Sequence, residues 1–169
     1  MVAMGERAST TKSIFIKWII RHCPKRQDGV YLPGMDKKKI LVVEDNMDNY
    51  ELIRVILEHG GYDAFQAVTG RDGVDAARLQ KPDLILMDLS LPEMDGWNAA
   101  ERIKADPATK DIPIYALTAH TLPRDRFRAM QAGCDGYFTK PLNVEGFLAE
   151  VRNVLGKKKN KRRPRKLIF

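Results

Sequence analysis

Cysteine is scarce in this 169-residue chain, and long apolar runs are missing altogether. Cys23 and Cys134 stand in no Cys-x-x-Cys or Cys/His cluster of metal-site spacing, so two reduced thiols in a cytoplasmic protein are expected. Without a run of about 18 apolar residues, nothing is expected to span a membrane as a helix. The nearest approach to a signal-peptide core, Ile14 to Ile20, is short and interrupted by Lys17. Arg21, His22 and Cys23 follow it rather than small residues, which argues against export. Acidic residues are absent from 157–169, and no aromatic residue interrupts its basic run before Phe169.

The net charge of +7 suggests an anionic partner until its distribution is considered. Residues 1–35 hold six Lys/Arg against two acids and residues 157–169 hold eight against none, which leaves −5 for the middle of the chain. The chain therefore divides into an N-terminal extension (1–35), expected to be mobile, a folded domain (36–156), and a basic tail (157–169), expected to be disordered. The tail's Lys157-Lys158-Lys159, Lys161-Arg162-Arg163 and Arg165-Lys166 allow weak, nonspecific contact with nucleic acid or an anionic surface. There is no room after Gly156 for a helix-turn-helix, so no sequence-specific DNA binding is expected. Met35-Asp36-Lys37-Lys38-Lys39 directly before the first strand reads as a natural chain start. The upstream stretch is then a mobile extension or a mis-set start codon, with Ile14 to Ile20 as an alternative short docking helix.

From Lys39 onward, short apolar runs alternate with stretches of helical period, the pattern of a parallel sheet covered by helices. The first strand is Ile40 to Val43. Leu52, Val55, Ile56 and His59 predict one face of a helix over about Met47 to Glu58, ended by Gly60-Gly61. A second strand near Tyr62 to Val68 leads to a helix over Arg71 to Leu79. Leu84 to Met87, the most apolar strand, then ends at Asp88. A helix through Ala99 and Ile103 follows, and then a strand Ile114 to Leu117 with Pro113 at its first residue. The remainder predicts a helix over about Arg124 to Ala132, a strand Gly136 to Thr139, and a final helix with a buried stripe of Val144, Phe147, Leu148, Val151, Val154 and Leu155. Five strand-helix units predict a three-layer, doubly wound, flavodoxin-like α/β fold with a five-stranded parallel sheet of order 2-1-3-4-5.

The polar residues stand at strand ends. Glu44 and Asp45 follow the first strand, Asp88 ends the third, Thr118 follows the fourth and Lys140 the fifth. The first and third strands are neighbours where strand order reverses, so three carboxylates meet there. A lone strand-end Asp is often only a turn former or helix cap. Three together repel and require a neutralising cation. An all-oxygen donor set favours Mg²⁺, with Mn²⁺ also possible. Lys140 adds a point charge suited to a phosphoryl oxygen, and Thr118 a hydroxyl.

These residues carry a family resemblance. The Glu44-Asp45 pair, Asp88 in Met-Asp-Leu-Ser-Leu-Pro-Glu-Met-Asp-Gly, Thr118 in Leu-Thr-Ala-His, and Lys140-Pro141 after Tyr137 are joined by spacings of 30 and 22 residues. The chain from Asp36 to Gly156 resembles the receiver domain of two-component response regulators, here in a stand-alone form of chemotaxis or cell-cycle type. The resemblance implies that Asp88 accepts a phosphoryl group from a histidine kinase or histidine phosphotransfer protein. It also implies that Glu44, Asp45, Asp88 and the Ser90 backbone carbonyl hold the metal. Lys140 would bind the phosphoryl group, Thr118 and Tyr137 would switch, and the Lys140-Pro141 bond would be cis. A downstream protein would read the fourth helix, fifth strand and fifth helix, with dimerisation on phosphorylation possible.

Two other readings compete with this one. A haloacid-dehalogenase-type phosphatase also uses a strand-end Asp with Mg²⁺, but it needs a second Asp two residues on, where this chain has Ser90. Tail-mediated anion binding is the other. His120, two residues beyond Thr118, flanks the site entrance or is simply a solvent-facing loop residue. Gly96, Gly133 and Gly136 are expected at turns and helix ends, Met87 and Met94 in packing, and Trp97 partly buried at a helix start.

Overall fold

The computed structural model describes residues 37–119 and 123–156. The N-terminal extension with Cys23 and Ile14 to Ile20, Asp36, His120 and the basic tail lie outside the described residues. The elements run β1 (Lys39–Val43), α1 (Met47–His59), β2 (Asp63–Ala67), α2 (Gly70–Gln80), β3 (Leu84–Asp88), α3 (Gly96–Ala105), β4 (Ile114–Thr118), α4 (Pro123–Gln131), β5 (Gly136–Thr139) and α5 (Val144–Gly156). All strand pairings are parallel and the sheet order is β2-β1-β3-β4-β5, as the sequence predicts. No helix among the described residues is long and apolar enough to cross a membrane.

Side chains alternate across a strand, so the continuous apolar runs of β1 and β3 feed two cores at once. Leu41, Val43, Ile85 and Met87 face one side and pack against Val74 and Ala77 of α2, Ala99, Ala100 and Ile103 of α3, and Ala129 of α4. Ile40, Val42, Leu84 and Leu86 face the other, against Tyr50, Ile53 and Leu57 of α1 and Phe147, Leu148 and Val151 of α5. Burial on both faces leaves only the sheet's ends for polar chemistry.

The helices start on specific caps. Asn46, Thr69 and Asp95 each accept a hydrogen bond from the backbone N–H three residues on, which satisfies a donor at the N-termini of α1, α2 and α3. At the far end of α1 the chain turns through Gly61 at φ 86°.

Three expectations need correction. The buried face of α1 is Tyr50, Ile53, Ile56 and Leu57, while Leu52, Val55 and His59 are only half-buried. Apolar residues occupy most of this helix's circumference, so period alone leaves its rotation open. The cap at Asn46 and the exit from β1 set it. Pro113 precedes β4 rather than starting it. Its carbonyl accepts from the Ile85 amide at 2.9 Å, so it lends the ladder an acceptor while lacking a donor. Gly136 opens β5, as the expected strand bounds have it, and the Tyr115 ring occupies the space a Cβ there would need. In α5, Phe147, Leu148 and Val151 are buried, whereas Val144, Val154 and Leu155 are partly buried against the same core. Cys134 is a free thiol, and burial pushes its pKa up to about 12.

Candidate functional site

Register brings the strand-end residues together. Val43 pairs with Met87, so Glu44 and Asp88 leave adjacent strands side by side. Thr118 closes β4 one residue beyond Leu117, the partner of Asp88. The Lys140 amide extends the next ladder by donating to the Thr118 carbonyl at 2.8 Å. Glu44, Asp88 and Thr118 are all buried, whereas Asp45 is exposed.

The Lys140 side chain reaches back over the sheet's end. Its Nζ donates to Asp88 Oδ2 at 2.6 Å and to Glu44 Oε2 at 2.7 Å. The other Asp88 oxygen, Oδ1, accepts from the Ser90 backbone N–H at 2.8 Å. One carboxylate oxygen each from Glu44, Asp45 and Asp88 lies within 4.8 Å of the other two. Lys140 is shared by two of the three acids, Glu44 and Asp88, and the exposed Asp45 adds a third negative charge beside them.

Burial raises the Glu44 pKa above the usual carboxylate value. The hydrogen bonds from Lys140 and Asn49 oppose that rise, and the Asp88 charge adds to it. Burial also works against the charge on Lys140, but its hydrogen bonds to Asp88 and Glu44 outweigh it and raise the lysine pKa. An oxygen-only donor set with this surplus fits Mg²⁺ or Mn²⁺, which take carboxylates, carbonyls and water.

Tyr137 sits on β5 opposite Ala116, half-buried against the core on the face covered by α2, α3 and α4. Two-residue alternation puts it on the same sheet face as Thr118. The Lys140-Pro141 peptide bond is cis. Trp97 is partly buried, and the Arg128 guanidinium lies 4.8 Å from its ring centroid.

Two residues at this site, Asn49 and Gln66, do not stand out in the sequence, and a third, Gly96, is expected there only as a turn or helix-end glycine. Asn49 Nδ2 donates to Glu44 Oε1 at 3.0 Å, and Gln66 Nε2 donates to the Glu44 carbonyl at 2.9 Å. Gly96 packs against the Asp88 carbonyl so closely that a Cβ there would overlap it. A glutamine inside a short strand and an asparagine three residues after a cap are the only local signals for the first two.

Fold and site together define a doubly wound α/β domain with an acidic cleft at its switch point, the place where such sheets bind ligands. A family model for the response regulator receiver domain matches residues 40–152, and the chain belongs to that family. It is 38% identical over 119 residues to the polar-differentiation response regulator DivK of Brucella anthropi, covering 70% of this chain and 97% of that one. DivK of Brucella ovis matches at the same identity and coverage. Among solved structures, the receiver domain of a Pseudomonas aeruginosa sensor histidine kinase has a magnesium ion coordinated in its active-site cleft. It shares 36% identity at a TM-score of 0.67, covering 72% of this chain and 99% of that one. A Vibrio cholerae chemotaxis protein shares 27% identity at a TM-score of 0.67, covering 70% and 99%. The chain is thus a receiver of two-component phosphorelay signalling, a signalling switch rather than a dedicated enzyme.

Proposed function

We propose that Asp88 is the phosphoryl acceptor, that a histidine kinase or histidine phosphotransfer protein is the donor, and that the message is read by another protein. The observation that carries this reading is Lys140, whose Nζ binds Asp88 and Glu44 at once beside a third carboxylate. In the transfer, an Asp88 carboxylate oxygen attacks phosphorus while the bond from phosphorus to the donor's imidazole nitrogen breaks. The imidazole leaves with that electron pair and takes up a proton.

Glu44, Asp45, Asp88 and the Ser90 carbonyl form the cradle for a divalent cation. When bound there, Mg²⁺ offsets charge on the acceptor and on the incoming phosphoryl oxygens. Lys140 then moves its hydrogen bond from the Asp88 carboxylate to a phosphoryl oxygen, where a compact ammonium is well matched. Thr118 supplies a hydroxyl donor from the neighbouring strand, and Tyr137, on the same sheet face, reorients in step. The added charge of about −1.5 to −2 biases this arrangement between two states. Residues 36–156 are the switching unit, flanked by the extension 1–35 and the basic tail.

Ser90 occupies the place where a turnover phosphatase would carry its general acid, which suits an acyl phosphate that persists. The test is incubation with acetyl phosphate or phosphoramidate and Mg²⁺, followed by intact mass. One phosphoryl group per chain, lost in Asp88→Asn and in excess chelator, is expected. Labelling that survives Asp88→Asn, or many turnovers of a phosphomonoester, would refute it.

A further inference from the structure

Outside the acidic cleft, α2 and α3 flank a groove of about 710 Å³. Arg71, Val74, Asp75 and Arg78 recur at one-face spacing along α2 and form one wall, with Arg102 of α3 on the other. Val74 and Met94 carry the lining down into the core beneath these helices. Leu79 follows Asp75 by one turn, which places it at the groove's rim, and it is 81% exposed.

The charges of this groove are unevenly engaged. Arg78 Nε donates to Asp106 Oδ2 at 2.6 Å, and Asp106 Oδ1 accepts from the Ala108 N–H at 2.8 Å. That pair joins the two walls where both helices end. Arg71, Arg102 and Asp75 are exposed and have no hydrogen bond or ion pair among the described residues. Two free guanidiniums and one free carboxylate thus make a local positive excess on a domain whose residues 36–156 sum to −5.

The mixture of charges selects the occupant. A polyphosphate or nucleic-acid backbone is opposed by Asp75. A protein segment satisfies every group if it brings carboxylates to Arg71 and Arg102, a basic residue to Asp75 and apolar side chains to Val74, Met94 and Leu79. Guanidinium forks match carboxylates in geometry as well as charge. The stripe from Arg71 to Leu79 rises about 12 Å, or about two helical turns. A third helix seats in the furrow between two packed helices at about 8 to 10 Å from each axis. The α2 of a second copy does not fit, because two-fold antiparallel pairing sets Arg71 against Arg78.

We propose that the α2–α3 groove is a docking site for an acidic amphipathic helix of a partner protein, with carboxylates paired to Arg71 and Arg102 and an apolar edge laid over Val74, Met94 and Leu79. Such docking does not depend on phosphoryl transfer at Asp88.

The test titrates the full chain with a synthetic helical peptide carrying a leucine stripe flanked by glutamates and one lysine. Its charge-reversed twin and a thymidine oligonucleotide serve as comparisons. Fluorescence anisotropy gives affinity, and amide NMR shifts give location. The acidic peptide should shift amides of α2 and α3. Arg71→Glu with Arg102→Glu should weaken it about tenfold or more and tighten the charge-reversed peptide. Leu79→Asp, at an exposed position that folding does not need, should weaken it about threefold. Acetyl phosphate labelling of Asp88 should match the wild type in both variants. The basic tail attracts any acidic peptide, but binding there is blind to these substitutions. Acidic-peptide affinity unchanged in both variants, shifts confined outside the groove, or oligonucleotide binding that shifts α2 and α3 and is lost in the arginine variant would overturn the proposal.

Discussion

Replacing Lys140 with methionine keeps most of the side chain's bulk and removes its charge, leaving Glu44 and Asp88 facing each other with no counter-ion. Lys140 holds the two carboxylates at 2.7 and 2.6 Å, and the acidic side chains are only 1% and 8% exposed. Removing one member of a buried ion pair costs about 3 kcal/mol or somewhat more, because the partner's charge stays buried without compensation. For a domain of this size that corresponds to a fall in melting temperature of about 10 °C at neutral pH in the presence of chelator. Two controls follow from the electrostatics. Mg²⁺ supplies positive charge to the same oxygens, so saturating Mg²⁺ should recover much of the deficit. Acid should narrow it as well. The Glu44 pKa is raised from 4.5 in the folded protein, so between 4.5 and its folded value the native state binds more protons than the unfolded one. Stability therefore falls as pH rises through that window. Without Lys140 the folded pKa rises further, so the window widens and the variant gains more than the wild type on acidification. Calorimetric melts at pH 7 and pH 5, with chelator and with Mg²⁺, give the four numbers needed. A Lys140→Met variant as stable as the wild type at pH 7 in chelator would show that Lys140 does not neutralise the cluster.

Two further outcomes follow from packing. Gly96→Ala places a methyl group against the Asp88 carbonyl, so urea unfolding should show a loss of about 1 to 3 kcal/mol and acetyl phosphate labelling should slow; wild-type behaviour in both would contradict the close approach. Cys134, with its thiol pushed up to about 12 by burial, should resist iodoacetamide at pH 8 in the folded protein and react in denaturant. Peptide mapping resolves it from Cys23, and prompt native labelling at Cys134 would contradict its burial.

The alternation of apolar runs and helical periods was legible because burial of both sheet faces demands uninterrupted hydrophobic strands, and β1 and β3 have them. β2 was harder to delimit. It is an edge strand with only Ala67 buried, so Tyr62 and Val68 looked like strand residues although the ladder stops at Asp63 and Ala67. The rotation of α1 was not legible either, since Leu52 and Val55 continue the apolar pattern around the helix beyond the stripe that the sheet covers.

Residue type and spacing by themselves determined the alternating α/β class and the placing of Glu44, Asp45, Asp88, Thr118 and Lys140 at strand ends, while the strand order is a property of the folded sheet. Parallel strands all deliver their last residues to the same end, so a strand-end position is a location in space as well as in sequence. Tertiary structure alone decided how those groups are bound to one another. Asn49, Gln66 and Gly96 acquire their partners through the turn after β1, the pairing of β1 with β2 and the docking of α3 on β3. A hydrogen bond depends on tenths of an ångström and on direction, and no local pattern encodes either. Whether Glu44 faces a lysine or a metal is settled at that scale.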